Sequence, residues 1–144
     1  QGYYNNPEAT AETIQDGWLH TGDIAYLDED GDLFLVQRRS DLIVTGGENV
    51  YPAEVEAAID EIPGVAESAV IGVPHADFGE GVVAVVAPRN GAKLDKETIT
   101  SALTDKLAKF KQPKQVHVMD ALPRNTMGKI QKNVLRDQFK GDFT

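Results

Sequence analysis

A chain of 144 residues, 41% hydrophobic and 26% charged, can bury the core of one domain or of one and a fraction. It contains no cysteine, which excludes disulfides and thiolate metal sites and fits a reducing cytoplasm, where the protein is expected. A net charge of -9 argues against a general nucleic-acid binder, and no apolar run approaches the roughly 18 residues of a membrane span, so neither nucleic acid nor membrane is expected as a partner.

The opening "QGYYNNPEAT" is neither basic nor apolar enough for a signal sequence. "IAYL" and "DLFLVQR" flank "DEDGD", whose Asp30-Gly31 pair predicts the turn of a hairpin. "DLIVTGGENVYP" predicts a short strand running into a glycine turn, after which Pro52 suits the first turn of a helix with Val55, Ala58, Ile59 and Ile62 at helical spacing. "ESAVIGV" reads as a strand, and the continuous apolar run "GVVAVVAP" as a strand buried on both faces. Asp95 is placed to cap a helix reaching about Lys109, with Ile99, Leu103 and Leu107 inward. "KQVHVM" alternates as a strand, and "IQKNVLRDQF" closes the chain as a helix with Ile130, Val134 and Leu135 turned to the core. The order after residue 40 predicts a compact α+β unit, a short sheet packed with helices. Residues 1–39 read as the trailing strands of something larger.

Charge is unevenly placed. Residues 1–37 hold no lysine or arginine, whereas residues 106–140 carry Lys106, Lys109, Lys111, Lys114, Arg124, Lys129, Lys132, Arg136 and Lys140. A solvated helix face accounts for Lys106, Lys109, Lys132 and Arg136. Lys114 and Lys129 follow a proline and a glycine on loops, where polar residues more often serve function. Other motifs fail on context. "GEGVVA" from Gly79 has the letters of a dinucleotide fingerprint but enters a strand instead of opening a helix. "DEDGD" has its glycine too early for an EF-hand loop and reads as a solvated turn. His20, His75 and His117 share no metal-ligand spacing, so no metal site is expected, and His117 reads as structural.

Three loops of unusual composition follow in fixed order: "GWLHTGD" at 17–23, "RRSDLIVTGGENVYPAEVE" at 38–56 and "PRNTMGKIQK" at 123–132. Together they resemble the last three core motifs of the adenylate-forming superfamily of acyl-CoA synthetases, peptide-synthetase adenylation domains and luciferases. "GYYNNPEAT" resembles the motif that precedes them. The resemblance covers essentially the whole chain and implies a division into 1–39, the final strands of a large N-terminal adenylation domain, and 40–144, a mobile C-terminal domain. The family's phosphate loop and acyl pocket have no counterpart in these residues.

What the resemblance implies is specific. Asp23 corresponds to an aspartate that accepts hydrogen bonds from the ribose hydroxyls of ATP, a task suited to paired carboxylate oxygens. Arg38 corresponds to an arginine that also reaches the nucleotide. Ser40 holds the hinge position, where many members carry aspartate or lysine. A carboxylic acid would attack ATP to give acyl-AMP, with Mg2+ bound mainly through ATP and the large domain, and coenzyme A would then displace AMP after the small domain swings about its hinge. Lys129 would neutralise charge in the first step, with Gly128 letting its loop extend. In the second pose Gly46 and Gly47 would flank the pantetheine arm, although a plain hairpin turn also explains the pair. Phe110 and Lys114 resemble positions that contact the nucleotide end of coenzyme A, with Gln112 standing where some members have arginine. Lys129 is also the family's recurrent acetylation site, which implies a lysine acetyltransferase and a deacetylase as partners.

"ESAVIGVPHADFGEGVVAVV" and "LPRNTMGKIQKNVLR" are most similar to malonyl-CoA synthetases, whereas "RRSDLIVTGGENVYPAEVE" is closer to o-succinylbenzoate-CoA ligases. Malonate is the favoured small carboxylic acid, with fatty or aryl acids as the alternative. An isolated module that serves as an acetyltransferase substrate is the reading from a different class.

Overall fold

The computed structural model describes residues 2–89 and 92–144, which form two compact units, Gln1–Ser40 and Asp41–Thr144.

The first unit opens with a helix that the sequence reading did not anticipate, α1 (Pro7–Thr13). Asn6 caps it, its side chain accepting from the Ala9 N–H at 3.0 Å, and Pro7 occupies the first turn, where a missing N–H costs nothing. Two short strands, β1 (Ile14–Gln15) and β2 (Trp18–Leu19), pair next. The expected hairpin is present as β3 (Asp23–Leu27) and β4 (Leu33–Arg38). Its turn is built by Asp28, whose Oδ1 accepts from the N–H groups of Asp30 and Asp32, with Gly31 at φ +85°. Tyr26, Leu27, Leu33 and Leu35 on this hairpin are more than half exposed, a contiguous run of large apolar side chains left uncovered.

The second unit is a five-stranded sheet covered on both faces. Its strands are β5 (Ile43–Thr45), β6 (Glu48–Val50), β7 (Val65–His75), β8 (Gly79–Pro88) and β9 (Gln115–Val118), in the order β6-β5-β8-β7 with β9 parallel to β8. β7 and β8 form a long antiparallel ribbon. The apolar run predicted to be buried on both faces is β8: Val82, Ala84 and Val86 enter one core cluster, and Val83, Val85 and Ala87 the other. Helices α2 (Pro52–Asp60) and α3 (Lys96–Leu103) supply Val55, Ile59, Ile99 and Leu103 to the first cluster, and α4 (Lys132–Phe139) supplies Leu135 to the second. This is the α+β architecture that the element order implies.

Asp95 caps α3 as expected, accepting from the Thr98 N–H at 2.8 Å, and hydrogen bonding from Thr98 holds its carboxyl below the usual range. The helix ends at Leu103 and not near Lys109. The Gln112 side chain reaches back to the carbonyls of Leu107, at 2.9 Å, and Thr104, which satisfies the chain as it leaves the helix. Leu107 is buried all the same. In α4, Leu135 is buried as expected, but Val134 is 38% exposed, because one residue of offset turns it 100° away from the core face. The solvated-face reading of the cations also needs correction. Lys132 lies 2.6 Å from Glu56 and Arg136 lies 2.8 Å from Asp41, both pairs half-buried, while Lys106 forms an exposed pair with Glu61.

Candidate functional site

The candidate nucleotide-binding residues stand opposite one another in the first unit. Asp23 opens β3, Arg38 closes β4, and they are register partners. Counting back from Leu27 and Leu33, a regular ladder would set Asp23 against Gln37. An irregularity between Ile24 and Ala25 shifts the pairing by one residue and brings Arg38 there instead. Arg38 Nε then lies 3.0 Å from Asp23 Oδ1, and its Nη1 donates to the Thr21 carbonyl at 3.1 Å. The Arg39 N–H donates to the Gly22 carbonyl at 2.8 Å, so the "HTGD" loop is held by the strand facing it. The pair presents a carboxylate and a guanidinium fork side by side, a donor and acceptor set for hydroxyls and phosphate oxygens. Ser40 follows directly, within a 3-10 turn, Arg39–Asp41.

In the second unit, Gly46 and Gly47 form the two-residue turn between β5 and β6, at φ +59° and +85°. Both central residues at positive φ define the hairpin turn that demands glycine. Backbone geometry therefore accounts for the pair, although a Cβ added at Gly47 would meet nothing within 4 Å, which leaves that side of the turn open. The turn is pinned from the β7–β8 turn and the start of β8: the Gly46 N–H donates to the Phe78 carbonyl at 2.9 Å, and the Val44 N–H to Glu80 Oε2 at 2.8 Å.

Lys114 joins this cluster. Its Nζ sits 4.3 Å from the centroid of the Phe78 ring, and its N–H donates to Val82 on β8. His75 packs its ring between Phe78 and Phe143. Phe110 is 37% exposed and is approached by Lys111, which is itself paired with Glu54. The Gln112 amide, considered as a coenzyme A contact, donates to the carbonyls of Leu107 and of the α3 C-cap Thr104.

Lys129 lies elsewhere on the same unit. Its loop does not extend: Gly128, at φ +79°, closes a tight turn. The Asn125 N–H donates to the Lys129 carbonyl, and Asn125 Oδ1 accepts from the N–H groups of Met127 and Lys129. Arg124 clamps the turn, donating to the Gly128 carbonyl while paired with Glu67 on β7. The backbone is thus fixed, and the exposed Lys129 ammonium makes no ion pair among the described residues. Glu67 lies near the start of β7, whereas the Phe78 turn follows its end at His75. At about 3.3 Å per residue this separates the Lys129 turn from the Gly46 turn by about 26 Å along the strand.

The sequence reading missed Phe78, Glu80 and Asn125 as organisers of these loops. For Phe78 a signal existed: in "HADFGEG" a lone aromatic sits between turn residues and a glycine. Among the described residues, no group of three or more histidine, aspartate or glutamate side chains could hold a metal ion. No helix among them is long and apolar enough to cross a membrane.

The fold and the two loop clusters define a class. The chain belongs to the AMP-binding enzyme C-terminal domain family, whose profile matches residues 54–129. Among solved structures, ATP-bound MatB from Rhodopseudomonas palustris is 52% identical, with a TM-score of 0.93 over 100% of this chain and 29% of that one. The o-succinylbenzoate CoA synthetase of Bacillus subtilis, solved with its acyl-adenylate intermediate, is 40% identical, with a TM-score of 0.83 over 97% of this chain and 28% of its own. A feruloyl-CoA synthase from an Amycolatopsis species is 47% identical over 139 residues, 96% of this chain and 28% of that protein. The chain thus spans less than a third of the proteins it matches.

Proposed function

We propose that this chain is the C-terminal part of an ATP-dependent acyl-CoA synthetase, which activates a carboxylic acid as acyl-AMP and transfers the acyl group to coenzyme A. The likeness to an ATP-bound relative across every residue of the chain carries this reading. The exposed apolar surface of the β3–β4 hairpin and the buried Gln37 amide with no partner among the described residues favour residues 1–39 as the last strands of a larger domain.

In the first step Asp23 accepts the ribose hydroxyls and Arg38 faces the nucleotide's oxygens. Lys129, on its clamped turn, places a positive charge where negative charge builds on the α-phosphate and the attacking carboxylate. The domain then pivots at Ser40 and presents the Gly46-Gly47 turn, with Phe110 and Lys114 toward the nucleotide end of coenzyme A. The separation of the Lys129 and Gly46 turns by most of the length of β7 supports two poses that use different parts of one rigid unit.

Malonate is the preferred acid. The 52% identity to MatB and the likeness of the "PHADFGEG" and "PRNTMGKIQK" segments to malonyl-CoA synthetases favour it, and names of other relatives point to aryl and fatty acids as the second choice. The test is acid-dependent pyrophosphate release and thioester formation by the enzyme carrying this chain, across malonate, o-succinylbenzoate, ferulate and palmitate. Malonate is expected to give the highest kcat/KM, and activity with none of them overturns the synthetase reading. The 144 residues alone should release no pyrophosphate.

A further inference from the structure

We infer that Arg136 is a positioning residue that couples the Ser40 pivot to the Lys129 turn through α4. The inference rests on the two-pose reading above and adds a part to it. Helix α4 begins where the Lys129 turn ends, and the Gln131 N–H donates to the Pro123 carbonyl at 2.8 Å, tying the helix start to the base of that turn. Eight residues at about 1.5 Å each make a rigid rod of roughly 12 Å. Arg136, in its last turn, lies 2.8 Å from Asp41 Oδ1, and Asp41 is the residue immediately after the pivot.

Three further contacts make this arrangement stiff. Lys132, one helical turn before Arg136, lies 2.6 Å from Glu56 of α2, and Glu56 Oε1 also accepts from the Val70 N–H of β7 at 2.7 Å. Leu135, between the two cations, is fully buried in the second core cluster. The helix therefore cannot roll without breaking an ion pair or exposing Leu135. Arg136 and Asp41 are about one-third and one-quarter exposed, enough burial to lift their attraction above that of a solvated pair. Both belong to the second unit and are 95 residues apart in sequence, so no local rule of helix chemistry asks for the contact. Its consequence is geometric: Asp41, where the second unit begins, is fixed to the rod whose start is tied to the base of the Lys129 turn.

The experiment compares Arg136→Met, Asp41→Asn and Arg136→Lys in the enzyme carrying this chain. Adenylation is followed as pyrophosphate release, and thioester formation is followed from supplied acyl-adenylate and coenzyme A. Urea midpoints are recorded in parallel. Arg136→Met and Asp41→Asn should each slow adenylation by about 10-fold to 100-fold, the scale of a misplaced catalytic group, and leave the thioester step within about threefold. Combining them should add little to either alone. Arg136→Lys, which keeps the charge, should recover most of the loss, and it serves as the test if the methionine variant does not fold. Equal decline of both steps, no decline, additivity of the two changes, or no recovery with lysine each overturns the inference. A parent enzyme that adenylates no acid removes the underlying reading as well, and the two failures are told apart by that control.

Discussion

Arg38 Nε lies 3.0 Å from Asp23 Oδ1 because a break in the β3–β4 ladder replaces Gln37 with Arg38 opposite the aspartate. The guanidinium side chain is 65% exposed, so the pair contributes about 0–1 kcal/mol to stability. In the function proposed above, the pair serves the nucleotide instead. Arg38→Ala should weaken ATP binding by the enzyme carrying this chain, by about 10-fold or more as expected for a charged hydrogen bond, while leaving its melting temperature within about 2 °C. An unchanged ATP affinity together with a marked drop in melting temperature would assign the pair to folding.

Lys129 is the second subject of prediction. Its turn is clamped by Asn125 and Arg124, so alanine at 129 removes a charge without loosening the backbone that holds it. Lys129→Ala, or acetylation at Lys129, should lower the adenylation rate by about 100-fold to 1000-fold, by analogy with loss of one oxyanion donor. Thioester formation from supplied acyl-adenylate should stay near the parent rate. The control is Lys140→Ala, an exposed lysine outside every ion pair among the described residues. Lys132 cannot serve, since its ion pair with Glu56 braces α4. Equal loss of both steps would show that Lys129 is not specific to the first.

These two sites show what the sequence made legible and where it stopped. The both-face burial of β8 follows from an uninterrupted apolar run, and the cap at Asp95 and the first-turn proline at Pro52 follow from local chemistry. The ion pairs of Lys132 and Arg136 were illegible because their partners lie 76 and 95 residues away, and only the packed helix brings them together. The end of α3 was missed for a similar reason: a glutamine well beyond the helix reaches back to the carbonyls of its C-cap Thr104 and of Leu107 in the segment that follows, and periodicity carries no trace of that. Gly128 misled in a different way. A glycine permits extension and tight turning equally, and Asn125 decides between them.

The third prediction separates strain from obstruction at Gly47. With φ at +85° every L-side chain there is strained, yet an added Cβ touches nothing in the chain. Asparagine tolerates the left-handed region and leucine does not. Gly47→Asn should therefore lower the urea midpoint less than Gly47→Leu, which should destabilise by about 1–2 kcal/mol. If the turn borders the pantetheine path, both variants should still form acyl-adenylate and both should be slow in thioester formation. Thioester rates that follow the midpoints, with asparagine closer to the parent than leucine, would leave Gly47 as a hairpin residue alone.

Ser40 carries the last prediction. It is the middle residue of the 3-10 turn Arg39–Asp41, a conformation in which φ is about -50° to -70°, close to the value that proline imposes. Ser40→Pro is therefore compatible with folding at residue 40 itself, although its ring pushes Arg39 toward extended backbone. Both effects act in one direction on dynamics: they remove dihedral freedom from the segment that must change if the two units reorient. A frozen pivot should favour one step and impair the other, so the ratio of the adenylation rate to the thioester rate should move by about 10-fold or more. Ser40→Ala, which leaves backbone freedom intact, should keep the ratio near that of the parent and so isolates the backbone from the hydroxyl. Measuring both half-reactions in the two variants decides the matter. Proportional decline in Ser40→Pro, or a shifted ratio in Ser40→Ala, would place the pivot elsewhere or give the serine side chain a role of its own.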